Sequence, residues 1–228
     1  MMLDVVDAVV FDLDGVLVDS EPVWEEVRRR YVADNGGQWR SDTQRRLMGM
    51  STGEWARYLS EELGVRRTAE QVATEVVEQM VARYAARVPL MPGADAVVWE
   101  LARHWPVALA SSSPPRLIQA ALDATGLAGT FAVTLSTEEV PHGKPAPDVY
   151  LAVAERLGVD PAGCVAVEDS SNGVRSAAAA GMRVVAVPHP RYPLDEDARM
   201  RAAVVVADIR AVTTDAVRAA STGASGHT

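Results

Sequence analysis

The chain has 228 residues, of which 48% are apolar and 23% charged, a balance that supports a buried core and excludes wholesale disorder. Its 22 basic and 31 acidic side chains give a net charge of −9, which argues against nucleic acid as the main partner. The single cysteine, Cys164, excludes an internal disulfide. Since no apolar stretch reaches the roughly 18 residues of a membrane span and no basic leader precedes the first apolar run, we expect a soluble, cytoplasmic protein without a membrane partner.

The first predicted strand, residues 5–11, is an apolar, β-branched run. From about residue 20 to 89 the chain shows no convincing strand, and amphipathic stretches at 22–34, 52–63 and 69–87 predict helices. We therefore interpret residues 20–89 as an inserted helical subdomain. Segments 18–21 and 88–93 connect it to the rest of the chain, and prolines stiffen the second connection.

After the insert, strands and helices alternate. Apolar runs predict strands at 107–110, 131–135, 164–167, 184–187 and 204–207, and helices are predicted at 94–104, 116–125, 147–157 and 173–180. This alternation is typical of an α/β fold, here a doubly wound parallel sheet. Residues 1–19 and 90–220 would form this α/β core domain, and the small, polar residues 221–228 would form a flexible tail.

Two carboxylates, Asp12 and Asp14, directly follow the first predicted strand. Ligands of open α/β sheets bind outside the carboxyl ends of the strands, so this position suits a binding site. Taken alone, the motif is better explained by an ordinary turn, with Asp12 capping it and Asp14 and Gly15 forming it, and only the other segments of the chain favour a binding site.

A second acidic pair, Glu168 and Asp169, follows the predicted strand 164–167. Two acidic loop tips side by side destabilise a fold unless a cation compensates their charge. Oxygen ligands without His or Cys select a hard ion, so this pattern predicts Mg²⁺. Capping of the next helix by Asp169 or Ser170 is an alternative role that is compatible with metal binding.

Two further groups are suited to phosphate. Ser111 and Ser112 belong to a serine run between a strand and a helix, where hydroxyls and backbone N–H groups can bind an anion. Lys144 adds a positive charge in a loop whose prolines restrict the backbone. Taken singly, a serine run is an ordinary helix start and a surface lysine an ordinary solubilising residue.

Four segments together resemble a known family. They are FDLDGVLVDSEP (11–22), LASSS (109–113), GKPAPDVY (143–150) and VEDSSNGVRSAAAAG (167–181). In this order and spacing they are similar to the haloacid dehalogenase-like hydrolases, in the subgroup with a small helical cap that contains β-phosphoglucomutase and many sugar-phosphate phosphatases. The resemblance implies a Rossmann-like core with residues 20–89 as the cap.

The resemblance implies catalytic roles for the first motif. Asp12 would be the nucleophile that forms an aspartyl-phosphate, and Asp14 the general acid and base. Ser111, Ser112 and Lys144 would bind the phosphoryl oxygens, where the lysine would also neutralise the repulsion between two anions.

The resemblance also implies a metal site. Asp12, Asp14 through its backbone carbonyl, Asp169 and the neighbouring Glu168 would surround Mg²⁺. The cap would close over the substrate, exclude water and select its organic part.

The cap distinguishes a phosphatase from a mutase. Sequences like that of β-phosphoglucomutase have a histidine after the first motif and an arginine in a substrate loop of the cap. The corresponding residues here are Trp24 and Thr52, which favours a phosphatase. We expect substrate contacts from Glu21, Trp24, Gly49, Ser51 and Thr52, although Trp24 is equally suited to the core of the cap.

The favoured function is therefore Mg²⁺-dependent hydrolysis of a small phosphorylated metabolite, with sugar phosphates as candidates, and a phosphomutase is the alternative. A dehalogenase would need no metal, and the presence of both Asp14 and Asp169 counts against it. A signalling receiver domain would be shorter, with adjacent acidic residues after its first strand. A non-catalytic phosphate-binding protein would not need every one of these groups. The sequence leaves the substrate and the oligomeric state open, and it is compatible with a monomer.

Overall fold

A computed structural model describes residues 6–47 and 50–222. Its strands are β1 (Ala8–Phe11), β2 (Val107–Ser111), β3 (Val133–Ser136), β4 (Cys164–Glu168), β5 (Arg183–Ala186) and β6 (Val204–Val205). Its α-helices are α1 (Glu21–Asp34), α2 (Thr43–Leu47), α3 (Thr52–Arg57), α4 (Ala69–Ala86), α5 (Ala94–Ala102), α6 (Pro115–Thr125), α7 (Asp148–Leu157), α8 (Ser171–Ala179), α9 (Glu196–Arg201) and α10 (Thr214–Thr222). Among the described residues, no helix has both the length and the apolar character needed to cross a bilayer.

The six strands form one parallel sheet in the order β3-β2-β1-β4-β5-β6. The central strand β1 lies between β2 and β4, with Phe11 level with Leu109 and Val167. The chain adds β2 and β3 on one side of β1 and then crosses to the other, which makes the β1 end a topological switch point. Residues that follow β1, β2 and β4 therefore meet at one edge of the sheet.

Both faces of the sheet are covered by helices, as the uninterrupted apolar runs predict. One face packs against α5, α6 and α10, and the other against α7, α8 and α9. Successive residues of β1 alternate between these layers, with Val9 and Phe11 on the first and Ala8 and Val10 on the second. The predicted fold class is confirmed.

Several strand boundaries differ from the predicted ones. β1 begins at Ala8, where its ladder with β4 begins, and residue 5 lies outside the described residues. β3 begins at Val133, because Phe131 packs edge-on against Phe11 instead, with ring centroids 6.3 Å apart. The edge strand β6 pairs on one side only and is two residues long.

Three helices, α2, α9 and α10, were not predicted from the sequence. The first two are only five and six residues long, too short to show a clear apolar period. Helix α10 includes residues 221 and 222, which the sequence analysis assigns to the tail, while the remaining tail residues lie outside the described part of the chain.

The region between residues 21 and 86 consists of α1 to α4, with α3 continued by a π-helical turn over Tyr58–Glu62. Its buried apolar residues include Trp24, Trp55 and Met80, and they belong to the same apolar cluster as one face of the sheet. Helix α4 packs against α1 and α3 and also against α6 of the sheet domain. The two connections run side by side, since the Asp19 N–H donates to the Pro89 carbonyl over 2.9 Å.

Candidate active site

The loop after β1 brings two carboxylates to the edge of the sheet. Asp12 is 6% exposed, and its backbone N–H donates to the Val167 carbonyl of β4 over 3.0 Å, which fixes the start of the loop. Gly15 adopts a φ of +83°, a left-handed conformation in which other residues are strained. A Cβ atom at this position would overlap the carboxylate of Asp169. Glycine therefore lets the two acidic loops approach each other.

Lys144 connects the acidic loops from the segment between β3 and α7. Its Nζ lies 2.6 Å from Oδ1 of Asp12 and 2.6 Å from Oε1 of Glu168, and it donates to the Ala110 carbonyl over 3.0 Å. The lysine side chain is only 5% exposed. Burial lowers the pKa of Lys144, but the charges of Asp12 and Glu168 outweigh it and raise the pKa well above its ordinary value. The ammonium is therefore charged across the whole working pH range.

Glu168, the last residue of β4, is fully buried and held by neutral donors in addition to Lys144. The Tyr150 hydroxyl donates to Oε1 over 2.7 Å, and the Asp169 N–H donates to Oε2 over 3.1 Å. Its carboxylate lies directly against Gly173 of α8, where a Cβ atom would overlap it. Glu168 is therefore an immobilised anion behind the site.

Asp12, Glu168 and Asp169 each offer a carboxylate oxygen, and these atoms lie within 4.8 Å of one another. Burial and the charges of Glu168 and Asp14 raise the pKa of Asp12 to about 8, although Lys144 opposes this shift. Burial and the carboxylates of Glu168 and Asp12 also raise the pKa of Asp169 well above its usual range. One lysine does not balance this negative charge. A set of hard oxygen donors with excess negative charge fits a divalent cation such as Mg²⁺.

The Asp14 side chain turns away from this carboxylate set toward the end of β2. Its Oδ2 accepts hydrogen bonds from the Ser113 hydroxyl over 2.8 Å and the Ser111 hydroxyl over 3.2 Å. Its Oδ1 is buried and has no hydrogen-bond partner among the described residues. Two serines therefore orient the proposed acid and base and leave one of its oxygens for another partner.

The structure separates the members of the serine run. Ser111 and Ser113 are buried against Asp14, and the Ser113 N–H also donates to the Ser111 hydroxyl over 2.9 Å. Ser112, which the sequence analysis assigns to phosphate together with Ser111, is exposed between them. Phosphate binding by either serine remains a prediction.

The sequence analysis did not assign roles to Ser113, Tyr150 and Gly173. All three lie inside the segments that resemble the family, so the sequence marked them as candidates. Their roles depend on contacts with Asp14 and Glu168, and only the folded chain brings these side chains together.

The predicted cap residues fall into two groups. Glu21 and Trp24 lie on α1, where Glu21 accepts a hydrogen bond from the Gln44 amide and Trp24 is 6% exposed, 5.9 Å from Trp55 between ring centroids. Ser51 is exposed and forms the N-terminal cap of α3, while Thr52 is its half-buried first residue. Gly49 lies outside the described residues.

The fold and the site together define an α/β protein with an acidic centre at the switch point of its parallel sheet and a helical insert beside it. A sequence model described as haloacid dehalogenase-like hydrolase matches residues 6–181, and a second model of the same kind, HAD-hydrolase-like, matches residues 141–224. The chain therefore belongs to the haloacid dehalogenase-like hydrolase family, in the β-phosphoglucomutase-like subgroup with a helical cap.

Known relatives span nearly the same length. Hexitol phosphatase B of Escherichia coli strain K12 is 37% identical over 205 residues, covering 82% of this chain and 86% of the relative. The phosphorylated carbohydrates phosphatase of Thermotoga maritima is 35% identical over 185 residues, covering 80% and 86%. Among solved structures, CbbY of Rhodobacter sphaeroides in complex with phosphate is 26% identical with a TM-score of 0.83, covering 93% and 99%.

Proposed function

We propose that the protein hydrolyses a sugar phosphate or polyol phosphate through a covalent phosphoryl intermediate on Asp12, with Mg²⁺ as its cofactor. At the coarser level, the protein is a phosphoric monoester hydrolase that acts on small phosphorylated metabolites. The observation that carries the finer proposal is the buried Asp12 carboxylate, bound through one oxygen to Lys144 and placed beside Asp14 and Asp169.

In the first step, a carboxylate oxygen of Asp12 attacks phosphorus, and the bond from phosphorus to the ester oxygen breaks. Asp14 donates its proton to the departing alkoxide, so that a neutral alcohol leaves. The hydrogen bond from Lys144 engages Oδ1 of Asp12 and leaves Oδ2 for the attack.

In the second step, Asp14 removes a proton from a water molecule as the water oxygen attacks the phosphorus of the acyl phosphate. The bond between phosphorus and Asp12 breaks, which regenerates the carboxylate and releases inorganic phosphate. Ser111 and Ser113 hold Asp14 through both steps, since each hydroxyl donates to its Oδ2. No histidine is needed for proton transfer.

Asp12, Asp169 and the backbone carbonyl of Asp14 would hold Mg²⁺, with Glu168 behind them. A bound Mg²⁺ supplies positive charge that offsets the repulsion between the attacking carboxylate and the phosphate. Lys144 contributes a second, fixed positive charge at the same carboxylate.

The carbohydrate part of the proposal comes from the relatives. Two relatives at 35% and 37% identity are named as phosphatases of phosphorylated carbohydrates and of hexitols. A mutase is disfavoured, because the position of the mutase histidine holds Trp24, whose ring packs against Trp55 in the cap.

Phosphate release from a panel of hexose and hexitol phosphates tests the proposal, with glucose 1-phosphate isomerisation assayed in parallel. We expect Mg²⁺-dependent release that is lost in EDTA and in Asp12→Asn, because an amide is not nucleophilic. Full activity of Asp12→Asn, full activity in EDTA, or isomerisation without release would each contradict it.

A further inference from the structure

One buried cation lies outside the catalytic cluster, on the cap. Arg28 of α1 is 5% exposed, and its guanidinium carbon lies 4.3 Å from the ring centroid of Trp24 and 4.8 Å from that of Trp55. The guanidinium packs beside two neighbouring indole rings, whose centroids are 5.9 Å apart, and these two cation–π contacts restrict its orientation. Arg28 is thus a rigid donor group rather than a mobile surface arginine.

Arg28 is incompletely satisfied. Its Nε is buried and donates to no acceptor within the described residues. Oε1 of Gln44 is also buried and accepts no hydrogen bond within the described residues, while the amide nitrogen of Gln44 donates to Glu21. An unpaired buried donor or acceptor costs about 1–3 kcal/mol, so such groups in a native protein need a partner. A donor and an acceptor are therefore both available on this side of the cap.

These cap groups follow closely on the catalytic loop, because α1 begins at Glu21 and Asp14 forms a backbone bridge to Val18 just before it. Burial lowers the pKa of Arg28 to about 10, and the charges of Glu21 and Asp14 oppose this shift. Burial raises the pKa of Glu21, with Arg28 opposing it and Asp14 adding to it. Glu21 and Arg28 lie on the same side of α1, about two helical turns apart, and Glu21 is the first residue of that helix after the catalytic loop. In that loop, Oδ1 of Asp14 is also buried without a hydrogen-bond partner among the described residues.

We infer that Arg28 is a substrate-specificity residue that donates a hydrogen bond to a hydroxyl oxygen of the substrate's organic part, with Glu21 and Gln44 accepting from neighbouring hydroxyls. Hydroxyl groups both donate and accept, which matches a guanidinium beside a carboxylate and an amide oxygen. The inference rests on the proposed phosphatase function and assigns the residues that would select its substrate.

The charges of these cap residues also determine which substrates are disfavoured. Arg28 contributes one positive charge and Glu21 one negative charge, so the pair is neutral. A second phosphate group would meet a carboxylate and would lack the excess positive charge that phosphate binding needs. The surface therefore suits a polyol monophosphate and disfavours a bisphosphate.

The test compares ligand affinities in the Asp12→Asn background with Mg²⁺ present, so that turnover does not enter. Calorimetry would measure glucitol 6-phosphate and inorganic phosphate binding, with and without Arg28→Met. We expect Arg28→Met to reduce the preference for glucitol 6-phosphate over phosphate about 10- to 100-fold, the range of a hydrogen bond to a charged group. Arg28→Lys keeps the positive charge but loses the planar guanidinium with its fixed donors. Its preference for glucitol 6-phosphate over phosphate should lie between those of the parent and Arg28→Met.

Arg29→Met is the matched control, because it removes an exposed arginine from the same helix. It should leave the preference unchanged. An equal loss of affinity for both ligands in Arg28→Met would mean that Arg28 only stabilises the cap, and it would overturn the inference. The inference would also be overturned if the protein with Arg28 intact bound glucitol 6-phosphate no more tightly than inorganic phosphate.

Glu21→Gln tests the charge balance. It should raise the affinity for fructose 1,6-bisphosphate relative to fructose 1-phosphate about tenfold, since one repelling charge is removed. A parent that prefers the bisphosphate would contradict the charge balance. Tight ligand binding without phosphate release by the unsubstituted protein would instead refute the phosphatase function and leave the assignment of Arg28 standing.

Discussion

At the scale of single residues, the site concentrates three carboxylates near one buried ammonium, while a fourth, that of Asp14, turns toward Ser111 and Ser113. Asp12 and Glu168 share Lys144, and an oxygen of Asp169 lies within 4.8 Å of theirs. This arrangement favours function over stability, because buried like charges raise the free energy of the folded chain when no cation is bound.

The destabilisation by buried carboxylates should be visible as a pH dependence of the free energy of unfolding. The pKa of Asp12 is raised to about 8 in the folded protein, above the value of about 4 in an unfolded chain. The folded state therefore binds the extra proton, and stability decreases as pH rises from about 4 to 8. In EDTA, Asp12→Asn should thus be more stable than the parent at pH 9 and gain much less at pH 5.

Urea denaturation at both pH values measures this difference. Addition of Mg²⁺ should reduce it at pH 9, because the parent then gains a compensating charge. An equal gain from Asp12→Asn at pH 5 and pH 9 would show that the carboxyl is not titrating in this range.

Removal of Lys144 tests how much its ion pairs with Asp12 and Glu168 stabilise the folded protein. Lys144→Met should lower the free energy of unfolding by about 3–5 kcal/mol at pH 8 in EDTA, because it leaves Asp12 and Glu168 buried without a counter-charge. The loss should shrink toward pH 5, where Asp12 is protonated. Arg30→Met, which removes an exposed salt bridge to Asp34, is the control and should change stability by less than about 1 kcal/mol.

At the scale of elements, the site depends on glycines that let loops and helices approach closely. Gly173 lies in α8, where alanine would ordinarily be favoured by about 1 kcal/mol. Here the carboxylate of Glu168 fills the space of a Cβ atom. Glycine at this position lowers the intrinsic stability of the helix, but it leaves room for the buried carboxylate of Glu168.

Gly173→Ala should destabilise the protein despite the better helix propensity, by about 1–3 kcal/mol, the usual cost of overpacking. It should also lower the affinity for Mg²⁺, because Glu168 is displaced. Gly129→Ala is the matched control, since nothing lies within 4 Å of the added methyl group. Thermal unfolding and calorimetry with Mg²⁺ measure both effects, and a stabilised Gly173→Ala protein would refute the packing explanation.

At the scale of the whole molecule, the helical region is joined to the sheet domain both by packing and by its two connecting segments. The cap packs onto the sheet domain through α4 and α6, and the connecting segments pair beside each other at Val18 and Leu90.

Mg²⁺ should stabilise the whole chain by mass action, because the unfolded chain lacks the assembled carboxylates. At about 100 times the dissociation constant, the gain is about 2.7 kcal/mol. Asp169→Asn should abolish most of this gain, and Asp195→Asn, which removes an exposed partner of Arg175, should preserve it. Scanning calorimetry with Mg²⁺ and with EDTA measures this gain in stability. An equal gain in Asp169→Asn and in the parent would exclude Asp169 as a ligand.

The sequence by itself determined the fold class, the helical insert and the acidic and basic residues at the strand ends. Apolar runs of strand length, and carboxylates directly after them, are local patterns that do not depend on distant contacts. Strand ends of a parallel sheet must share an edge, so Asp12 and Asp169 could be assigned to one site before their distances were known, and the family resemblance added Lys144.

Tertiary structure alone decided which side chains complete that site. Ser113 rather than Ser112 orients Asp14, Gly173 accommodates Glu168, and Arg28 packs against Trp24 and Trp55. These roles depend on contacts between elements that are far apart in the chain, and no local pattern distinguishes such an arginine or serine from an ordinary one. Short elements such as α9 were missed for a related reason, since packing rather than periodicity stabilises them.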